Sequence, residues 1–549
     1  MPVLSVLIWL PVVGMLIMAI GPKDRVQLYR WIALGITLLQ LGWTVGVVLP
    51  AFVEAKAAVD GGRWMSHFYL QESVSWIDFS LGSMGRLYIE YALGVDGLGF
   101  LLVLLTAIIM PVAVLSAWDV TRNVKGYFTL FMLLDLSMLG VFCALDFFLF
   151  YLFYEFMLLP MFFLIGLWGG PKREYASLKF FLYTLVGSVF MLLIMVGLLF
   201  SFQNPGLSTT EAPVYTLNFL HMFQGAPIEG SVFGPASTLL GVNARLLAFA
   251  VLFIGFAIKL PMVPVHTWLP DAHVEAPTAI SVILAGILLK VGGYGMLRIC
   301  YGIFPDGALH FSWYIGLMGV ISIVYGAFVA MAQKDLKRLV AYSSISHMGF
   351  VMLGIASLTA VGMSGATLQL FTHGIISAML FLIVGVVYDR VHDRQIENFR
   401  GLWQLMPAYA VFTLIGFFAS LGLPGFAAFV SELLVFMGAF QAAQLGSLPY
   451  WMAILSTLGI VLGATYYLRT YRQMFFGIFN RSHTSDWLPK LTDLTLREYL
   501  LLTPLAILIV WLGVFPGPLL DLFEADMADF GQWVRDVGEE IMAGNAGNR

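Results

Sequence analysis

Fourteen long, mostly apolar runs determine what this chain can fold into. A helix needs about 20 such residues to cross the hydrocarbon core of a bilayer. Because the runs are unbroken rather than short and alternating, they favour helices over a β-barrel. The sequence therefore predicts an all-α polytopic membrane protein. The predicted spans lie near 3–20, 28–53, 96–117, 126–143, 145–168, 177–202, 244–264, 276–300, 311–332, 337–357, 365–388, 407–440 (interrupted), 451–475 and 499–519.

The composition excludes several other classes of protein. Hydrophobic residues make up 60% of the 549 positions and charged residues only 11%, whereas soluble domains carry about 25% charged residues. The net charge of −4 argues against a nucleic-acid partner. The two cysteines, Cys143 and Cys300, support neither a disulfide framework nor an iron–sulfur or zinc site. With neither a dinucleotide fingerprint nor a P-loop, the chain is predicted to bind no cofactor and no metal.

The distribution of basic residues predicts the orientation in the membrane. The first run has no basic residue before it and Lys23 and Arg25 after it, which predicts a retained helix rather than a cleaved signal peptide. With the N-terminus outside, 19 of the 28 lysines and arginines fall in inside loops, 7 in outside segments and two within spans. Inside loops carry the excess of such residues, so both termini are predicted to lie outside. Two longer outside segments, about 54–95 and 204–243, are predicted to be surface connections.

Seven ionisable side chains interrupt the apolar runs. Such residues cost a few kcal/mol or more in a bilayer, and they usually face a wet or paired interior. Buried Lys and Glu change their proton affinity with hydration and with the distance to an opposite charge, and His titrates in the middle of the physiological range. A proton pathway needs such a set. The residues are Asp135, Glu155, Lys259, Lys290, His347, His373 and Glu432.

Structural roles are an alternative for each of these residues taken singly. A lone Glu or Lys also fits an ion pair that locks two helices, and a lone His fits a helix–helix hydrogen bond. For Asp135, a hydrogen bond to a neighbouring Ser or Trp is an equally simple explanation. The whole set favours proton transfer, since packing alone is achieved with small residues and does not need repeated buried charges.

Two predicted spans contain helix breakers at mid-depth. One is IKLPMVPVHTWLPDAHVEAPTA, with four prolines, and the other is LGLPGFAAFVSE. Lys259 lies just before the first break, and Glu432 lies just after the second. Paired breaks in the two halves of a transporter indicate inverted repeats with a site at their interface, although two proline kinks and chance symmetry are the alternative. The sequence predicts two inverted five-helix repeats, each with a broken helix, in the regions 96–300 and 301–475. N-terminal helices and an outside loop (1–95) precede them, and a C-terminal helix with an acidic tail (476–549) follows.

Three segments resemble a known family. They are LFYLFYEFMLLPMFFLIGLWGG (149–170), IKLPMVPVHTWLPDAHVEAPTAISVILAGILLKVGGYGMLR (258–298) and QKDLKRLVAYSSISHMGFVMLG (333–354). They are similar to the antiporter-like membrane subunits of respiratory complex I, the proton-pumping NADH:quinone oxidoreductase. The same segments recur in multisubunit sodium/proton antiporters and membrane-bound hydrogenases. The resemblance covers roughly residues 95–475.

The resemblance implies roles for particular residues. Glu155 and Lys259 would form the pair at which the input acts, and Glu432 would be the last residue before the outside. His266 and Asp271 would be structural or would line the inside inlet. The implied proton path runs through Glu155, Lys259, Lys290, His347, His373 and Glu432.

The resemblance also implies a function, a location and partners. The chain would be a proton-translocating subunit of the bacterial inner membrane, in contact with lipid and with the neighbouring antiporter-like subunits L and N. NADH and quinone would be bound only by other subunits. One alternative is a sodium/proton antiporter subunit, for which Lys rather than Glu is typical at position 432. A second alternative is a subunit of a ferredoxin- or hydrogenase-linked complex. A third is an inert spacer, and the buried charges argue against that one.

Overall fold

A computed structural model describes residues 2–22, 25–58, 67–209, 213–225, 227–234, 237–479, 487 and 489–547. The prediction of a helical polytopic membrane protein is confirmed, since thirteen helices in these ranges are long and apolar enough to cross a membrane. Four basic residues that enter the charge count, Lys23, Arg63, Arg481 and Arg549, lie outside the described residues. The division into inverted repeats and the four-range division of the chain stay predictions.

The thirteen long helices are α1 (Val3–Ile20), α2 (Val26–Ala57), α3 (Gly97–Ser116), α4 (Val124–Cys143), α5 (Phe147–Trp168), α6 (Arg173–Leu199), α10 (Thr278–Tyr301), α11 (Pro305–Met331), α12 (Leu336–Ser357), α13 (Ala360–Val391), α15 (Ala427–Gln444), α16 (Tyr450–Phe475) and α17 (Leu496–Val514). The other helices are α7 (Phe219–Gln224), α8 (Ala244–Lys259), α9 (Trp268–Glu275), α14 (Pro407–Ser420), α18 (Gly517–Leu520) and α19 (Glu524–Gly547). Single 3₁₀ turns lie at Gly82–Met84, Ile396–Asn398 and Leu402–Gln404.

Side-chain caps fix where several of these helices begin. Asp96, Asp146, Asp335 and Thr359 each accept a hydrogen bond from a backbone N–H in the first turn of α3, α5, α12 and α13. Thr495 and its partner three residues later form a capping box at the start of α17. These side chains satisfy backbone donors that have no partner within the helix.

The predicted span at 244–264 is wrong as a continuous helix. Helix α8 has 16 residues and ends at Lys259, and the chain then passes through Pro261 and Pro264 before α9 begins. Proline lacks the N–H that would continue the helix, and its ring clashes with the preceding turn. The interruption predicted within 407–440 is present, since α14 ends at Ser420 and α15 begins at Ala427.

The segment 54–95, predicted to be a surface connection on the outside, contains a β-hairpin. Strand β1 (Tyr69–Ser80) pairs antiparallel with β2 (Arg86–Val95), and β3 (Val214–Thr216) adds to β2 in parallel. A two-stranded β4 (Thr238–Leu239) and β5 (Val242–Asn243) ribbon follows later in the chain. The hairpin strands are rich in aromatic and β-branched residues, which favour strands.

Three helices form the centre of the molecule. The most apolar windows of α10 and α13 are completely buried and that of α12 is 94% buried, whereas the corresponding windows of α1, α2 and α6 are 33% buried. Helices α10, α12 and α13 are therefore surrounded by protein, whereas α1, α2 and α6 expose much of their surface. The three central helices carry Lys290, His347 and His373.

Candidate functional site

Lys290 and His373 are in direct contact at the centre of the molecule. The Lys290 Nζ lies 2.8 Å from the His373 Nδ1, and it donates a hydrogen bond of 2.5 Å to the Ala285 carbonyl. Both side chains are buried. A glycine pair permits this contact, because a Cβ on Gly374 would lie 2.8 Å from the Gly286 carbonyl oxygen of the facing helix. The two helices can approach so closely only with no side chain at that crossing.

His373 is followed by His347 and Glu432. The ring centroids of the two histidines lie 5.5 Å apart, and the His347 Nδ1 lies 3.2 Å from the Glu432 Oε1. These residues come from α13, α12 and α15. We call Lys290, His373, His347 and Glu432 the central row. The structure thus brings together four of the six residues that the sequence predicts for a proton path.

The second helix break shapes the end of the central row. Gly422 lies in the break with a φ of +75°, and a Cβ there would lie 2.5 Å from the Glu432 Oε2. A glycine is therefore needed for the backbone to turn beside the carboxylate. A cavity of about 10 Å³ borders Glu432 and His347, which is about the room that one water molecule needs.

Hydroxyl groups continue from His347 on its other side. The His347 Nε2 lies 3.1 Å from the Ser420 Oγ, which lies 2.7 Å from the Tyr467 hydroxyl. The Tyr467 hydroxyl donates to Ser343 at 2.9 Å. This chain of hydroxyls links the last residue of α14 with α16 and α12, and it holds the His347 ring in place.

Gln369 and Ser431 support the central row from the side of α13. The Gln369 Nε2 lies 3.5 Å from the His347 Nδ1, and the Ser431 hydroxyl donates to the Gln369 Oε1. Ser431 is the residue before Glu432 and is also 3.1 Å from the Thr372 hydroxyl, beside His373. These polar residues and the hydroxyl chain could not be recognised from the sequence, because Ser, Thr, Gln and Tyr are common in membrane helices and give no distinct signal.

Lys259 and Glu155 lie apart from the central row and are not in direct contact. The Lys259 Nζ lies 5.0 Å from the centroid of the Tyr154 ring and 5.7 Å from that of Phe180. Within the described part of the chain it has no hydrogen-bond partner, and neither does the Glu155 Oε1. The predicted pair is therefore open in this structure, with an aromatic ring against the ammonium group in place of the carboxylate.

His273 is a further buried titratable residue, which the sequence analysis did not single out. Its ring stacks on Phe381 with centroids 4.3 Å apart. Neither ring nitrogen has a hydrogen-bond partner among the residues that the structure describes. The signal was available in the sequence, since His273 lies in the same proline-rich segment as His266 and Asp271.

A cavity of about 500 Å³ opens beside α9 and the start of α12, on the side that the basic residues assign to the inside. Lys337, Glu275 and Asp389 are among its lining residues. The buried Lys337 donates a hydrogen bond of 2.5 Å to the Ala276 carbonyl. Asp271 lies nearby and forms ion pairs of 2.7 Å with Lys179 and Arg338, so its contacts are those of a structural residue.

Comparison with known proteins identifies the family. The profile of a family described as "NADH:quinone oxidoreductase/Mrp antiporter, TM" matches residues 144–463. The NADH-quinone oxidoreductase subunit M of Rhodobacter capsulatus is 40% identical, with 99% of each chain covered. The chain belongs to the NADH-quinone oxidoreductase subunit M family. NADH-ubiquinone oxidoreductase chain 4 of Marchantia polymorpha is 36% identical, over 96% of this chain and 97% of that protein.

Solved structures agree with this family. A chain of respiratory complex I from Thermus thermophilus with bound NADH has a TM-score of 0.77 and 28% identity, over 97% of this chain and 99% of that one. A chain of the archaeal membrane-bound sulfane sulfur reductase shares the fold, with a TM-score of 0.76 and 24% identity over 98% of this chain and 100% of that one. The predicted resemblance to complex I is confirmed.

Within this subunit M family chain, Asp135 stands apart from the central row. It is buried on α4, and its polar neighbour is Gln40 of α2 rather than the Ser or Trp that the sequence suggested. Asp135 and Gln40 lie on α4 and α2, whereas the central row lies on α10, α12, α13 and α15. The structure therefore separates Asp135 from the four residues that it brings together.

Proposed function

We propose that this chain is the proton-translocating membrane subunit of a bacterial NADH-quinone oxidoreductase and carries protons through the central row. The observation that carries the proposal is the buried succession of Lys290, His373, His347 and Glu432 across four helices, the last of which follows a helix break. In this proposal NADH and quinone are bound and react in other subunits, and the chain itself holds no cofactor. Its partners are the neighbouring membrane subunits L and N and lipid, and both termini lie outside the inner membrane.

The contacts support a stepwise transfer. Lys290 hydrogen-bonds His373, so a proton can pass from the ammonium group to the imidazole at 2.8 Å. The second imidazole then receives it, with a water molecule filling the remaining gap. The His347 Nδ1 lies 3.2 Å from the Glu432 Oε1, so the Glu432 carboxylate would stabilise a positive charge on the imidazole and accept the proton next. Positive charges at adjacent residues of the row repel each other. The arrival of one proton therefore favours the departure of the preceding one.

The open pair at the other end supplies the input. The Lys259 ammonium lies against aromatic rings, and the Glu155 Oε1 has no hydrogen-bond partner among the described residues. A movement that brings the two side chains together stabilises the charged Lys259. A movement that opens the pair releases that proton toward His273 and Lys290. Electron transfer in the other subunits would drive this alternation through contacts between subunits, which is a population shift between protonation states.

The inside cavity provides the inlet in this proposal. It reaches the buried Lys337 and the end of α9, the helix that carries His273. In this proposal a proton that enters from the inside water passes from this cavity by way of His273 to Lys290. The small cavity beside Glu432 lies at the opposite end of the central row.

Replacement of a middle member of the row tests the proposal. His373→Gln keeps a polar side chain but cannot carry a proton, so proton pumping per NADH oxidised in reconstituted, fully assembled complex should fall sharply. His310→Gln, on the exposed face of α11, is the matched control and should pump normally. Normal pumping by assembled His373→Gln complex would contradict the proposal, and a pumping rate that follows sodium rather than proton concentration would favour the antiporter function.

A further inference from the structure

The amphipathic helix α19 is fastened across the outer ends of the bundle. Arg535 donates a hydrogen bond to the Leu358 carbonyl between α12 and α13. At Gly538 the helix touches the start of α11, since a Cβ there would lie 2.9 Å from the Pro305 carbonyl oxygen. The apolar face of α19 is buried, including Met527 and Val534. The helix therefore spans elements that belong to the central part of the molecule.

Asp526 fastens the other end of α19 to helix α3. Its Oδ2 accepts a hydrogen bond of 2.7 Å from the Gly97 backbone N–H, in the first turn of α3. Its Oδ1 lies 3.3 Å from the Lys56 Nζ and 3.4 Å from the His67 Nδ1. The Lys56 ammonium directs a hydrogen bond of 2.8 Å to the Leu522 carbonyl. The carboxylate of Asp526 is fully buried.

Asp526 and His67 face each other in this cluster without a hydrogen bond. Among the described residues, neither the Asp526 Oδ1 nor the His67 Nδ1 has a hydrogen-bond partner, although they lie 3.4 Å apart. A buried carboxylate oxygen without a hydrogen bond is costly to keep charged, although the Lys56 ammonium lies 3.3 Å from it, and a proton taken up by this carboxyl group removes that cost. The His67 Nε2 lies 3.6 Å from the half-exposed Asp529, which gives a proton a way in from water.

Burial raises the pKa of Asp526 to about 6, from an ordinary value of 3.8. The Asp96 carboxylate adds to this increase, and Lys56, His67 and the hydrogen bond from Gly97 oppose it. The titratable and charged side chains that face Asp526 from all the elements around it are Lys56, His67, Tyr69, Asp96 with its partner Arg298, and Asp529.

We propose that the buried carboxyl group of Asp526, beside Lys56 and His67, is a proton-binding site on the outer face and that proton uptake there tightens the docking of α19. The sign follows from linkage. A carboxyl group whose pKa is higher in the docked state than in the free chain binds protons more strongly when docked. Its contribution to docking is therefore full below pH 4 and is lost as the pH rises through about 6. Protons released on the outside would thus stabilise the docked position of α19.

The upper limit of the effect follows from the same two values. A difference of about two pKa units corresponds to a change of about a hundredfold in the docking equilibrium between pH 4 and neutral pH. Most of this change falls between pH 6 and pH 4, so a step from pH 7.5 to 5.5 samples its upper part. The site is separate from the central row, and the inference does not depend on which residues carry the pumped proton.

Hydrogen exchange of α19 in the intact complex tests the inference. Protection factors of the 527–543 amides, corrected for intrinsic exchange, should increase severalfold from pH 7.5 to pH 5.5. Asp526→Asn imitates the protonated carboxyl group, so protection should be high at both pH values. Glu539→Gln, an exposed carboxylate on the same helix, is the matched control and should keep the response of the unmodified protein.

Two results would overturn the inference. One is protection that stays constant or decreases on acidification in the unmodified protein, with the amides of α17 as internal reference. The other is an Asp526→Asn variant that keeps the full pH response. If that variant does not assemble, the unmodified protein decides alone, since its protection must increase relative to α17.

Discussion

At the scale of single residues, Glu432 is predicted to act through its ability to titrate rather than through its volume. Glu432→Gln keeps the shape of the side chain beside Gly422 but cannot accept a proton from His347. Removal of a positioned proton-transfer group typically costs about 10²-fold or more, so coupled proton pumping should fall by this order in assembled complex. Glu432→Asp should retain part of the rate. Pumping assays on vesicles measure both, with the exposed Glu54→Gln as control; equal rates for Gln and the native Glu would refute a titrating role.

Sequence alone could identify the ionisable members of the site but not the polar side chains between them. A charge in an apolar helix is conspicuous, because its burial is costly, and this signal selected Lys290, His347, His373 and Glu432. The sequence could not show that Ser420 and Gln369 contact His347. Such contacts depend on how distant helices pack, and single Ser or Gln residues occur in many helices without a functional role.

At the scale of elements, the approach of α10 and α13 is predicted to control contact between Lys290 and His373. Gly374→Ala would place a Cβ 2.8 Å from the Gly286 carbonyl oxygen, which forces the helices apart at a cost of about 1–3 kcal/mol. We expect lower thermal stability and slower pumping in this variant. Gly35→Ala on α2 is the matched control, because nothing lies within 4 Å of the added Cβ. Its stability should be unchanged or slightly higher, and an equal loss in both variants would contradict the argument.

The elements themselves were predictable in proportion to the strength of their pattern. Long apolar runs gave the helices, and the prolines after Lys259 gave the first break, although the run 244–264 ends earlier than its hydropathy suggests. The hairpin β1–β2 was missed. Its strands lie in a segment rich in Gly and Ser, which indicate turns, and strand pairing depends on tertiary contacts that a single sequence does not show.

At the scale of the whole molecule, the open pair of Glu155 and Lys259 is predicted to couple this chain to its partners. The two side chains contribute no mutual ion pair to folding in this structure, so Glu155→Gln and Lys259→Met should leave assembly largely intact. Both should reduce proton pumping and the NADH:quinone reductase rate together, by about 10²-fold if the pair is an obligatory proton-transfer step. Quantification of assembled complex by native gel, followed by simultaneous pumping and NADH oxidation assays, separates the two effects. A lower reductase rate with normal pumping per electron would mean that the pair limits the turnover rate of the complex without carrying its protons. Protons would then have to enter the central row through His273 and the inside cavity.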